Sequence, residues 1–172
     1  MSIKWEDRIT VIKGDTGEKI VTEYLIKRGY IPYSPEPVGA HPFDRLCATP
    51  DKKHIFVAEI KSKPARTHYP DTGINISHYR DYENIQRAHN LVVFLFFVDE
   101  VSKQIYGNKL STLVAPREIR HHGQTLKYPL QHNGIIYFPL EAMKLVGTLT
   151  DEQSEVLESL STRNKAYIVS NN

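Results

Sequence analysis

The chain has 172 residues, enough for one domain, and a formal net charge of +2, so a partner that is a polyanion would need the cations gathered on one face. Hydrophobic residues make up 40% and charged residues 24%, an ordinary globular balance that excludes collagen-like, coiled-coil and wholly disordered chains. Cys47 is the only cysteine, which excludes an intrachain disulfide and a cysteine zinc cluster and points to a reducing, cytoplasmic setting.

Residues 1–7 are too polar for a secretory leader. Residues 1–13 alternate loosely, as a short strand or a helix, with Trp5 as a packing anchor ahead of the alternative that it stacks on a base. Asp15, Thr16, Gly17 and Glu18 read as a capping box that opens a helix, with Ile20, Val21, Tyr24 and Leu25 at helical spacing. Gly29, after Lys27 and Arg28, is the expected stop. Residues 30–33 look extended, and Pro35, Pro37 and Gly39 mark a loop. Residues 43–49 and 54–61 form a predicted hairpin around the turn Pro50, Asp51, Lys52 and Lys53. Residues 62–75 are polar and carry Pro64, Pro70 and Gly73, so they read as a long connection. A helix is expected over 77–90. Residues 91–98 form an apolar strand of the kind covered on both faces, and this run is far too short to span a membrane. Short strands near 104–106 and 135–138, a helix over 139–146 and a polar helix over 151–161 complete the chain. The last helix opens on Thr150 and Gln153, another capping pattern. The sum is a single α/β domain over 1–172 with a mixed central sheet flanked by helices.

The hairpin carries the chemistry. A four-residue turn places Thr49 opposite His54, and counting back puts Leu46 opposite Val57 and Asp44 opposite Glu59. Lys61 projects from the same face, about 6.6 Å further along. Phe43, Cys47, Phe56, Ala58 and Ile60 fall on the other face, which makes Cys47 a core residue. Paired carboxylates repel across a sheet, so such a pair calls for something between them. A hard divalent cation such as Mg²⁺ fits two carboxylates, with water and a phosphate completing its shell. A lysine beside them orients water or neutralises developing charge. The plainer alternative is a solvated sheet edge bearing a cross-strand ion cluster, since Glu-x-Lys by itself recurs by chance.

Glu18 in an early helix, Asp44 on one strand and Glu59, Ile60 and Lys61 on the next resemble the PD-(D/E)XK nuclease superfamily, closest to compact resolvase-like and RecB-like endonuclease domains. Gly17-Glu18, Tyr24-Leu25, Gly29-Tyr30, Phe43-Asp44 and the run 57–61 keep that family's order, over about residues 14–98. The resemblance implies a restriction-endonuclease-like core and a Mg²⁺-dependent endonuclease that hydrolyses DNA, with Mn²⁺ as a substitute. It implies Asp44, Glu59 and the Ile60 carbonyl as metal ligands and Lys61 as the catalytic lysine. Glu18 becomes a ligand through water or a partner of Lys61, against its equally good reading as a capping residue. Two departures stand out. Pro42 lies two before Asp44 and not next to it, and the family's Gln-x-x-x-Tyr order appears reversed as Tyr82 and Gln86.

Lys63, Arg66, His68, Tyr79 and Arg80, with Tyr69 and His78 among them, form a cationic and aromatic stretch suited to a phosphodiester backbone. His121 and His122 read as surface residues, because neighbours on a strand point to opposite faces. DNA is the expected partner, with self-association or a larger DNA-processing complex as further options. A non-cleaving nucleic-acid-binding subunit of a repair, restriction or mobile-element complex is the alternative function. A structural protein with an incidental carboxylate pair is the third.

Overall fold

The computed structural model describes residues 8–35 and 42–170, with side chains through 161. Trp5 and the loop residues Pro37 and Gly39 lie outside the described residues. Helix α1 (Ile9–Lys27) leads into β1 (Ile31–Tyr33), β2 (Arg45–Ala48), β3 (Ile55–Ser62), β4 (Asp71–Asn75) and α2 (Ile76–His89). Strands β5 (Val92–Asp99) and β6 (Gln104–Lys109) follow, then α3 (Leu110–Leu113). Next come β7 (Arg117–His121), β8 (Gln124–Tyr128), β9 (Leu130–His132) and β10 (Ile135–Pro139). A 3₁₀ turn (Leu140–Ala142), β11 (Lys144–Thr148) and α4 (Asp151–Ser170) complete the order. No helix among the described residues is long and apolar enough to cross a membrane.

The main sheet runs β1-β2-β3-β5-β6-β11, with β3 and β5 parallel and the other neighbours antiparallel. It is a mixed sheet, as expected. β5 lies at its centre, buried on both faces. Leu95, Phe97 and Val93 pack with Val57 against Tyr82 of α2 and against Ile136 and Phe138 of β10. Phe96 and Val98 pack with Cys47, Ala58 and Ile60 against Ile20, Val21 and Leu25 of α1 and Leu157 of α4. Each fully buried Val, Leu, Ile or Phe among them contributes roughly 1.5–3 kcal/mol by leaving water. Alternation along β3 thus sends odd and even residues into two separate cores.

Gly29, with φ 82°, ends α1 by returning its N–H to the Ile26 carbonyl while Tyr30 bonds to Leu25. The start of α1 differs from the expectation. The helix begins at Ile9, so Asp15 and Glu18 lie within it and form no capping box. Lys13, in the added turns, bonds to buried Glu100 at 2.6 Å, a tertiary contact that outweighs the local cap pattern. The box at α4 does form: the Gln153 N–H donates to Thr150 Oγ1 at 3.1 Å, and Gln153 Oε1 accepts the Thr150 N–H at 3.0 Å.

The connection over 62–75 contains a strand, β4, that pairs with β10. The helix expected over 139–146 is instead the 3₁₀ turn followed by β11, because the free edge of β6 captures the chain. The β7–β8 hairpin is a separate two-stranded sheet, with His121 closing β7 and His122 in the turn at φ 46°.

Gly17 sets how closely α1 approaches β3. A Cβ there would lie 1.8 Å from Ser62 Oγ and 3.1 Å from Ser62 Cβ. Gly17→Ala should therefore destabilise by about 1–3 kcal/mol, the usual range for overpacking. Ser62→Ala in the same chain removes the closest atom, and urea denaturation should show a favourable coupling between the two changes. Additive effects would mean that α1 is not held at this point.

Candidate active site

The hairpin register matches the expectation: Leu46 faces Val57, Ala48 faces Ile55, and the Thr49 N–H donates to the His54 carbonyl at 2.9 Å. The turn between them holds Lys52 at φ 58°, and Thr49 Oγ1 donates to Asp51 at 2.6 Å. Arg45 pairs with Ala58, so one further step places Asp44 opposite Glu59 at the mouth of the hairpin. Asp44 precedes β2, and its Oδ2 accepts the Ile60 N–H at 2.7 Å, which fixes the carboxylate without a strand. Phe43 also lies ahead of the strand, so alternation does not reach it. It packs with Leu46 and Val57, on the face opposite to the one expected.

Glu59 is buried, with its side chain only 4% exposed, and the Lys61 ammonium, 26% exposed, bonds to Glu59 Oε1. Glu59 Oε2 is buried with no hydrogen-bond partner among the described residues. Asp44 is pushed up to about 6, first by burial and then by the Glu59 carboxylate, against the pull of Lys61 and the Ile60 N–H. A carboxyl raised in the folded state binds its proton more tightly there than in the unfolded chain. Its contribution to stability is fully present below the ordinary aspartate value near 3.8 and is lost as pH rises through about 6. In metal-free buffer, Asp44→Asn should remove this loss and raise stability at neutral pH by on the order of 2 kcal/mol. Chemical denaturation at pH 4 and pH 7 checks it, and a wild-type/mutant difference that does not grow with pH would contradict it.

Glu18 reaches the same mouth from α1. Its Oε2 accepts from Arg45 Nη1 at 3.0 Å, and its acidity is weakened by burial first and by Asp44 next, with Arg45 opposing. Its ion-pair partner among the described residues is thus Arg45 and not Lys61. Arg45 also donates to Thr22 Oγ1 at 3.1 Å and to the Asp44 carbonyl at 2.7 Å, tying α1 to the edge of the site. No motif or spacing in the sequence singles out Arg45. Its position beside Asp44 was the only available signal, since its partners in α1 lie more than 20 residues away. Tyr82 is the second such residue. It descends from α2 into the core, and burial followed by the Glu59 charge drives its phenol far above its ordinary range.

The cationic stretch divides. Arg66 is committed to buried Asp71 through two 2.6 Å bonds, with its guanidinium over the rings of Tyr137 and Tyr69. Lys63 donates to the Gly73 carbonyl at 2.8 Å, and burial followed by Lys61 lowers its affinity for a proton. His78 is likewise held below its ordinary value by desolvation and then by Lys61, which places it by the site. Tyr79 bonds to Glu83, while Arg80 and His68 are exposed. The His68 carbonyl meets His121 Nε2 at 3.1 Å. Among the described residues, no three His, Cys, Asp or Glu side chains converge on one point.

A central mixed sheet flanked by helices is a resolvase-like fold. The chain is similar in structure to Hjc, a Holliday junction resolvase from the archaeal hyperthermophile Archaeoglobus fulgidus, with a TM-score of 0.50 and 11% sequence identity. The match covers 84% of this chain and 99% of that one. No family model matches the sequence. No curated protein matches it either.

Proposed function

We propose that this protein is a divalent-metal-dependent endonuclease that hydrolyses DNA phosphodiester bonds. The observation that carries the reading is the pairing of buried Glu59, whose Oε2 makes no hydrogen bond among the described residues, with Asp44 across the mouth of the hairpin beside Lys61. Two carboxylates facing each other in a desolvated site are destabilising, and an unpartnered carboxylate oxygen adds to that. Both features suit a hard cation, which needs only one or two protein carboxylates when water and phosphate complete its shell. Asp44 and Glu59 would hold Mg²⁺ or Mn²⁺, and the Ile60 carbonyl, beside the N–H bound by Asp44, is the third ligand of the proposal. Bound there, the cation would polarise a phosphoryl oxygen and acidify water.

The chain's own residues do the rest. Lys61 is paired directly to Glu59, and its partial exposure leaves it able to reach a phosphate. Its ammonium neutralises charge that builds on the phosphoryl oxygens as water oxygen bonds to phosphorus and the bond to the leaving oxygen breaks. Arg45 holds Glu18 and the backbone of Asp44 in place. Tyr82, buried in the core, lies near enough to Glu59 for that carboxylate to raise its phenol.

Incubation with plasmid, linear duplex, single-stranded DNA and four-way junctions, in Mg²⁺, Mn²⁺ or EDTA, tests the reading. The junction belongs in this set because the structurally similar protein is a Holliday junction resolvase. Cleavage that requires metal is expected, and cleavage in EDTA would overturn the proposal. Metal alone should also raise thermal stability, by about 2.7 kcal/mol at roughly 100 times its Kd. Asp44→Asn should abolish that gain, and an equal gain in both proteins would put the metal elsewhere.

A further inference from the structure

The β7–β8 hairpin stands apart from both other sheets, and its two faces differ. The inner face is anchored by polar contacts. Arg117 donates to the carbonyls of Thr112 and Ala115 at 2.7 and 3.3 Å, and the Tyr128 hydroxyl donates to Asp71 at 2.6 Å. His121 reaches the His68 carbonyl, and its ring lies 6.4 Å from that of Tyr69. These contacts dock the hairpin on the segment that leaves Lys61. Lys63 bonds to β4 at Gly73, Asp71 opens β4, and Asp71 holds Tyr128 on the hairpin.

The outer face is different. Glu118 faces Lys127 and Arg120 faces Thr125. Arg120 is exposed and has no partner among the described residues. Lys127 is 81% exposed and meets Glu118 only at 3.4 Å, too weak a pair to hold it. His122, in the turn, is exposed, with its ring 4.1 Å from that of His121. Residues 117–128 contain Arg117, Arg120 and Lys127 against Glu118 alone, a net charge equal to the +2 of the whole chain. The charges outside the hairpin sum to zero, so the hairpin is one of the chain's locally cationic segments.

We propose that the outer face of the β7–β8 hairpin is a second DNA-contact surface, with Arg120 and Lys127 binding backbone phosphates of the duplex beyond the bond cut at Asp44, Glu59 and Lys61. The inference rests on the reading of the protein as a DNA enzyme and adds the element that would hold the substrate arm. A polyanion is the occupant because the face offers exposed cations and a hydroxyl and no outward apolar residue. A strand pair of this length extends about 17 Å, enough to follow a duplex past a single phosphate.

The test is Arg120→Gln with Lys127→Gln. Both side chains project into solvent, so the melting temperature should be unchanged. Binding to a labelled duplex extending past the cut site on both sides is measured in Ca²⁺ over a range of salt. Affinity should fall about tenfold, and the slope of log K against log salt should flatten by up to about two units. Single-turnover cleavage at saturating DNA should stay at the wild-type rate. Wild-type affinity and slope in the variant would overturn the proposal while leaving the nuclease reading intact. Wild-type DNA binding with lost binding to duplex RNA would also overturn it, by making RNA the partner. If the wild-type protein binds DNA but cuts none in any metal, the nuclease reading fails, and lost DNA affinity in the variant still supports the hairpin.

Discussion

Lys61→Ala should lower DNA cleavage at least about 10²-fold, the scale of losing one preorganised group that stabilises transition-state charge. Lys61 is paired with Glu59 in the ground state, so its charge is already positioned and needs little reorganisation when phosphate arrives. DNA affinity in Ca²⁺ should change far less, because affinity comes from phosphate contacts distributed over the surface. The substitution also leaves Glu59 buried without its cation, which destabilises the folded chain. Cleavage is therefore compared at a temperature where melting shows both proteins folded, with saturating Mg²⁺ present. Lys61→Arg keeps the charge but changes its shape, and it should recover only part of the rate. A Lys61→Ala protein that cuts as fast as wild type would remove Lys61 from the chemistry. One that fails to bind yet cuts normally at saturating DNA would make it a docking residue.

The part of this site that was legible in the sequence was fixed by local geometry. Pro50 to Lys53 define a turn, the flanking runs alternate, and a period of two then leaves a single register for Asp44 and Glu59. The apolar run within β5 was readable for a similar reason, since only burial on both faces accounts for it. What escaped was held by long-range polar contacts. The strand β4, with the sequence Asp-Thr-Gly-Ile-Asn, shows no apolar alternation, and Arg66, Lys63 and Tyr128 instead meet its polar groups. The early start of α1 depends on Lys13 finding Glu100, 87 residues away. Arg45 beside Glu18 is a contact between a strand and a helix that no local spacing encodes. Phe43 marks the limit of register arguments, because alternation holds only within the strand and β2 starts two residues later.

Asp71→Ala should be among the most destabilising single changes in the chain, by about 3–5 kcal/mol, the range for breaking a buried ion pair from one side. Asp71 is fully buried, and both its oxygens are occupied, by Arg66 Nε and Nη2 at 2.6 Å and by the Tyr128 hydroxyl at 2.6 Å. Its backbone adds to the knot, accepting the Arg66 N–H at 2.9 Å. Removing the carboxylate leaves the guanidinium stacked between two rings with its charge uncompensated, and leaves a buried phenol without an acceptor. Arg66 is 27% exposed, so water can reach it and the effect should lie toward the lower end of that range. Asp71→Asn retains one acceptor and should be milder. The same carboxylate joins the segment after Lys61 to the β7–β8 hairpin, so a second effect is expected well below the unfolding transition. Amide exchange should accelerate in residues 63–70 and in β7 and β8, while β3 and β5 stay protected. Uniform acceleration across all strands would show that Asp71 supports the whole core, and unchanged exchange in the hairpin would show that its docking does not depend on this contact.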